Sequence, residues 1–461
     1  MAAADFLVQI TRALGADRVW VGEDIPLQHQ TDWSGASAVA PFALVRPTST
    51  EQVSVLLGLC HAHRVPVVPQ GGLTGLAGAA VPCEEGIAVC LDRMNAIESL
   101  DAHAATLTVQ AGSTVASVQE AALAAGMQFG VDFGARGSAQ IGGAISTNAG
   151  GNGVLQFGMM REQVLGLEVV LADGTVLNML RPMLKNNTGY DLKQWFIGAE
   201  GTLGVITRAV LRLRPAVRAR ATALVALSGF DQSLSLLSRV SARFPGAVSA
   251  FELMWRDFMA ASLSWQSLRE PFDAMHPLTV LMNVDGQDAE SIQSALELEL
   301  AAAARAGEVL DAVIAQSHAQ ASALWKIREA TAELPSRMHP PINFDVSLPL
   351  ADIGRFAEAC RFALSERWPD HHTVFFGHVA DGNLHVSTDG ASVGGDQESV
   401  ERTIYKLVEV FGGSVSAEHG IGLHKKAYLG ASRSQAELAA MRAIKHALDP
   451  CRLLNPGKVF D

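Results

Sequence analysis

Residues 132–153 read DFGARGSAQIGGAISTNAGGNG, seven glycines interleaved with Ser138, Ser146, Thr147 and Asn148. Side chains this small let a backbone come close to a ligand, and glycine reaches positive φ without steric cost. Inward-turned N–H groups in such a loop form an anion-binding concavity suited to a diphosphate. Taken alone, the stretch reads equally well as a surface loop. Neither G-x-x-x-x-G-K-[ST] nor G-x-G-x-x-G spacing is present.

Two further loops tilt the reading. Val67–Ala79 (VVPQGGLTGLAGA) is a short β-branched strand followed by Gly71, Gly72, Gly75 and Gly78. Gly198–Ile206 (GAEGTLGVI) runs into a β-rich segment. Three glycine loops, each abutting a strand, suit a long ligand lying across several strand ends. A mononucleotide on one helix N-terminus would need a single loop.

At this point the residues resemble a known family, the flavoproteins of the vanillyl-alcohol-oxidase type. PQGGLTGLAGAAVP, GARGSAQIGGAISTNAGG, LGLEVVLADGTVL, NNTGYDLKQWFIGAEGTLGVIT, GHVADGNLHVS and VSAEHGIGLHKK are similar to its D-2-hydroxyglutarate and D-lactate dehydrogenase branch, over about Thr31 to Lys458. The resemblance implies FAD. It also implies non-covalent binding, because the first loop holds no His or Cys between Pro69 and Val81. The implied cofactor contacts are Pro69, Gln70, Gly71, Gly72, Leu73, Thr74, Gly75 and Leu76 in the first loop. In the second they are Asp132, Gly137, Ser138, Ile141, Gly142, Gly143, Ser146, Thr147, Asn148, Gly150 and Gly151. Glu200, Gly201, Leu203, Gly204 and Ile206 follow in the third, with Asn455 in the tail.

The 461 residues exceed one typical core, so two or three domains are expected. A net charge of −12 argues against nucleic acid. No run of about 18 apolar residues predicts a membrane span. The N-terminal residues meet Asp5 early and do not read as a secretory signal. Five scattered cysteines without C-x-x-C spacing suit a reducing compartment, and a cytoplasmic location is expected.

Ser49 and Gln52 frame a capping box ahead of Val53, Leu56, Leu57 and Cys60, an amphipathic helical stripe. Asp173-Gly174 predicts a two-residue hairpin turn. The fold expected is α+β: a two-subdomain, PCMH-type FAD-binding domain over 1–215, then a ferredoxin-like α+β substrate- and metal-binding domain over 216–425. A C-terminal segment, 426–461, is expected to pack back on the FAD domain.

In Phe375–Ser387, Asp381-Gly382 is a type I′ turn signal. With those two residues at the turn, His378 pairs with His385, and directly opposed Cβ atoms lie roughly 4.5–5.5 Å apart. Two such imidazoles can grip a metal; they can also be core histidines satisfied by backbone. Glu418 is the candidate third ligand, and the resemblance implies the set His378, His385 and Glu418. Two His and a carboxylate suit a catalytic divalent ion, zinc first, manganese second, with Fe²⁺ also compatible. His419 is the candidate general base, with a further ligand or a hydrogen-bonded core histidine as the alternatives. Arg328 matches the family's substrate-carboxylate arginine; otherwise it is a helix charge paired with Glu329 or Glu333.

Three positions depart from the 2-hydroxyglutarate pattern: Asn343 stands for a Lys, Ser387 for an Asn and Ala332 for a Thr. The expected substrate contacts are therefore Arg328, Asn343, Ser387 and His419, and the lost cation makes the identity of the acid the open question. The reaction implied is oxidation of D-2-hydroxyglutarate or a related D-2-hydroxy acid, hydride to flavin N5 and proton to His419. A quinone or an electron-transfer flavoprotein would accept the electrons, and a homodimer is compatible. The alternatives are a D-lactate dehydrogenase, an O₂-using oxidase of the same fold, and a non-catalytic flavoprotein subunit.

Overall fold

The computed structural model describes residues 3–460. They divide into two compact units. One runs to Gly151 and takes in Phe157–Ala216 and the chain from Glu418 onward; the other holds Asn152–Gln156 and Val217–Ala417. The return thus begins at Glu418, where the expected boundary was 426. Among the described residues no helix is long and apolar enough to cross a membrane.

Among its described residues the first unit carries two larger sheets and a short two-stranded pairing of Met127–Gln128 with Arg214–Pro215. In one the order is Val19–Trp20, Ala43–Val45, Ile87–Cys90, Val67–Gln70, the last three parallel. Parallel strands are covered on both faces, which is why Ile87–Cys90 is fully buried and reads as an unbroken apolar run. The second sheet is antiparallel, ordered Ile97–Asp101, Thr106–Gln110, Val205–Arg212, Val164–Val170, Val176–Met179. The predicted amphipathic helix spans Thr50–His63 and buries Val53, Leu56, Leu57 and Cys60. Ser49 Oγ accepts from the Gln52 amide as the capping box requires. The Gln52 side chain accepts instead from the Thr48 amide at 2.9 Å, one residue before the position a capping box prescribes. The hairpin at Asp173-Gly174 forms, but Leu171 N–H bonds Thr175 O and leaves a three-residue loop. Gly174 takes φ +88°, the left-handed position such a loop needs.

The second unit is built on a seven-stranded antiparallel sheet. Its first four strands, Asp311–Ile314, Ala219–Leu227, Leu278–Gly286 and Val248–Trp255, follow the ferredoxin-like spatial order. Thr373–Gly377, Asn383–Asp389 and Pro341–Ser347 extend it. The helix Arg256–Gln266 joins His318–Glu329 in burying Phe258, Met259, Leu324 and Ile327 against Leu224, Met254, Leu281 and Phe376. The second of these helices is capped by Ser317, whose side chain accepts from the Gln320 amide.

Candidate functional site

The three glycine loops of the first unit meet. A Cβ on Gly72 would lie 1.9 Å from the Ser138 carbonyl oxygen, and one on Gly201 would lie 3.1 Å from Pro69 Cγ. The first loop leaves the carboxyl end of the parallel strand Val67–Gln70, the usual location of ligands in such sheets. Each loop also holds one non-glycine residue in left-handed conformation: Leu73 at φ +58°, Asn148 at +52° and Glu200 at +51°. Such strain persists where the surroundings impose it and clusters at ligand sites.

The polar side chains here divide into frame and lining. Gln70 is spent on the frame: its Oε1 accepts from His29 Nδ1 at 2.9 Å and its Nε2 donates to the His29 and Ala80 carbonyls. Any cofactor contact from Gln70 is therefore made by its backbone. Asn455 Nδ2 donates to the Ala79 and Glu200 carbonyls, stapling the first loop to the third. The tail that brings Asn455 there is held by Lys445 Nζ on the Thr202 and Leu454 carbonyls and by Lys458 Nζ on the Val81 carbonyl. Among the described residues Gln140 Oε1 and Asn455 Oδ1 are buried without a hydrogen-bond partner. Buried polar atoms are ordinarily paired, so two orphans beside glycine backbone fit a polar cofactor such as FAD. Gln140 was absent from the contacts read from sequence.

The Glu200 side chain, like that of Gln70, is committed to protein partners. Its carboxylate oxygens accept from the Ile421 and Gly422 amides at 2.7 and 2.8 Å. Burial pushes its carboxyl up, against the pull of those two amides and of Lys425. Glu200 thereby anchors the segment that follows His419. Glu418 and His419 open the returning chain, and their ligand atoms lie within 4.8 Å of one another.

In the second unit the structure gathers what the sequence scattered. Phe376, and not His378, stands opposite His385 in the hairpin. The connection is longer than two residues: His378 leaves the strand, a turn runs over Val379–Asp381, and Gly382 closes it at φ +88°. The register differs from the expected one by two residues, and a two-residue slip keeps each side chain on its face. The His378 and His385 rings therefore still meet, centroids 5.6 Å apart and edge to face.

Around them sit residues that sequence reasoning missed. Glu252, 1% exposed, has Oε1 2.7 Å from His378 Nδ1, while Oε2 accepts from Arg328 Nε at 2.9 Å. Burial alone would raise the Glu252 carboxyl; its interactions with His378 and Arg328 outweigh it and hold it below the usual range. Arg328 is buried and lies 4.9 Å over the Phe376 ring, so the alternative of a solvated helix charge does not hold. Asp345 is fully buried opposite His385, its Oδ1 3.9 Å from His385 Nδ1. Its Oδ2 accepts from Ser416 Oγ and the Ala417 amide, which ties down the chain one residue before Glu418. Asn343 and Ser387, two of the three departures, are cross-strand partners joined by a 2.8 Å bond from Ser387 Oγ to Asn343 Oδ1.

Comparison with known proteins matches two segments of the chain. Residues 41–180 match an FAD binding domain, and 216–459 match the C-terminal domain of FAD linked oxidases. The chain is 38% identical over 446 residues to a D-2-hydroxyglutarate dehydrogenase of Xanthomonas citri pv. viticola, covering 95% of this chain and 93% of that one. It is 37% identical over 435 residues to the same enzyme of Stutzerimonas stutzeri, covering 93% of each. A solved p-cresol methylhydroxylase with bound substrate shares the fold at a TM-score of 0.77 and 18% identity, over 99% of this chain and 97% of that one.

Proposed function

This chain belongs to the FAD-linked D-2-hydroxy-acid dehydrogenases of the vanillyl-alcohol-oxidase type, and from that premise we propose that it oxidises D-2-hydroxyglutarate or a smaller relative to the 2-oxo acid, using a divalent cation as well as FAD. The observation that carries the proposal is the buried set Arg328, Glu252 and His378, with His385 beside it. A guanidinium and two imidazoles in one apolar-walled cluster suit a carboxylate next to a hydroxyl.

Arg328 takes the substrate carboxylate on its planar fork. His378, His385 and Glu418 hold the cation, zinc in the first instance and manganese in the second. His419 accepts the hydroxyl proton, and the Glu200 anchor on the following residues keeps its backbone in place. Bound FAD supplies a two-electron acceptor, and the bound cation supplies Lewis acidity that lowers the hydroxyl pKa. The substrate loses that proton and the Cα hydrogen with its electron pair, leaving a carbon–oxygen double bond. Asn343 favours a smaller acid such as D-lactate, because a neutral amide already bonded to Ser387 cannot offset a second carboxylate. A quinone or an electron-transfer flavoprotein would serve as the electron acceptor.

Anaerobic mixing with a panel of D- and L-2-hydroxy acids tests this reading. D-acids are expected to bleach the flavin and L-enantiomers to leave it oxidised. A flavin that no 2-hydroxy acid bleaches overturns the activity, and stoichiometric peroxide in aerated assays assigns the oxidase alternative.

A further inference from the structure

Glu252 lies in the middle of the strand Val248–Trp255 and belongs to no motif. Its position follows from strand register. Leu253 pairs with Gly377 and Met254 with Phe376, so the next step along the ladder sets Glu252 against His378. From the other side the helix His318–Glu329 delivers Arg328. One carboxylate thus serves two groups, one oxygen each, at 2.7 and 2.9 Å.

An ionised carboxylate only accepts hydrogen bonds. His378 must therefore carry its hydrogen on Nδ1, and the Nε2 lone pair becomes the one that can bind a cation. Arg328 is fixed in the same way. Its Nε–H is committed to Glu252, the Phe376 ring lies against the guanidinium plane, and the terminal Nη1 and Nη2 have no hydrogen-bond partner among the described residues. The fork a carboxylate needs is the end that Glu252 leaves uncommitted.

We infer that Glu252 is a positioning residue that sets the tautomer of His378 and the pitch of Arg328 together, so that cation and substrate carboxylate are received in one geometry. The inference rests on His378 as a cation ligand and Arg328 as the carboxylate reader. The competing account is a buried ion pair that only neutralises Arg328.

Glu252→Gln separates the two. A glutamine of the same shape has one accepting end and one donating end. If its oxygen faces His378, its NH₂ opposes Arg328 Nε–H. If it is turned round, the NH₂ donates to His378 Nδ1, which moves the ring hydrogen to Nε2 and blocks that atom. The test is titration of metal-free, FAD-loaded enzyme with Zn²⁺ or Mn²⁺, alongside His378→Asn, with flavin content and melting temperature as fold controls. Zn²⁺ affinity is expected to fall roughly 10- to 100-fold in Glu252→Gln, with a raised KM for the acid and full flavin content. Wild-type Zn²⁺ affinity and KM in Glu252→Gln, with affinity lost in His378→Asn, overturn the inference and leave the ligand reading standing. Wild-type affinity in His378→Asn overturns the ligand reading itself. If Glu252→Gln does not fold, Glu252→Asp decides: one methylene shorter, it reaches a single partner, so wild-type Zn²⁺ affinity and wild-type KM together refute the coupling.

Discussion

Gly72→Ala is the sharpest test of the cofactor cradle, because the obstacle is backbone and not a side chain that can swing away. The added Cβ falls 1.9 Å from the Ser138 carbonyl oxygen and 2.6 Å from its carbon. Carbon–oxygen contacts lie at roughly 3.3–3.6 Å, so one loop must retreat by more than about 1 Å. The second loop is poorly placed to do so. Ser138 and Ala139 both donate to the Ala135 carbonyl, and the Ala139 carbonyl accepts from Val115. Forcing extra volume into packed structure costs about 1–3 kcal/mol and sometimes more; a backbone obstacle belongs at the upper end, about 3 kcal/mol. Spent on the cradle, that weakens FAD binding by roughly 100-fold. Spent on the fold, it lowers the melting temperature by about 6–12 °C for a unit of this size. Flavin absorbance per protein after gel filtration, FAD titration by fluorescence and a thermal melt read both outcomes. Gly134→Ala, in the second loop but with open space around its Cβ, is expected to change neither. Full FAD occupancy and an unchanged melt in Gly72→Ala would refute the convergence of the loops as the basis of the site.

Asn343→Lys is expected to raise kcat/KM for D-2-hydroxyglutarate relative to D-lactate by about 5-fold, near 1 kcal/mol, because the side chain is exposed and its charge screened; an unchanged ratio means that another residue reads the second carboxylate. His419→Asn should keep FAD and metal while slowing anaerobic flavin reduction by roughly 10²–10⁴-fold, whereas metal loss measured by elemental analysis would make His419 a ligand. Asp92→Asn tests a distant ion pair, the two-point contact of Asp92 with Arg46. Burial opposes ionisation of Asp92, but Arg46 prevails and holds its carboxyl below the ordinary value of 3.8. The folded state then binds fewer protons than the unfolded one, so the pair's contribution is complete above about pH 4 and fades as pH falls through the lowered value. Denaturant melts should show a loss of about 1 kcal/mol at pH 7 that shrinks below pH 4; a pH-independent loss would point to packing instead.

Much of this site is visible in the chain because its determinants are local. Glycines that permit close approach, a cap such as Ser49, the helical stripe from Val53 to Cys60 and the turn at Asp381-Gly382 act over a few residues. His378 and His385 flank one turn, so their meeting survives even the two-residue change of register. Glu252 and Asp345 were not visible. Glu252 meets His378 across 126 positions and Arg328 across 76, and nothing near it in sequence marks it out from any other strand carboxylate. Asn343 and Ser387 were each noted singly; only the pairing of Pro341–Ser347 with Asn383–Asp389 makes them one hydrogen-bonded unit. The resemblance implied Gln70 and Glu200 as cofactor contacts; only the fold shows that their side chains hold His29, Ala80 and the backbone after His419. The order of residues sets which conformations each loop and turn can take. Which carboxylate ends beside which imidazole is decided by sheet register and helix packing, because burying a charge requires a partner that only the assembled fold can bring within hydrogen-bond reach.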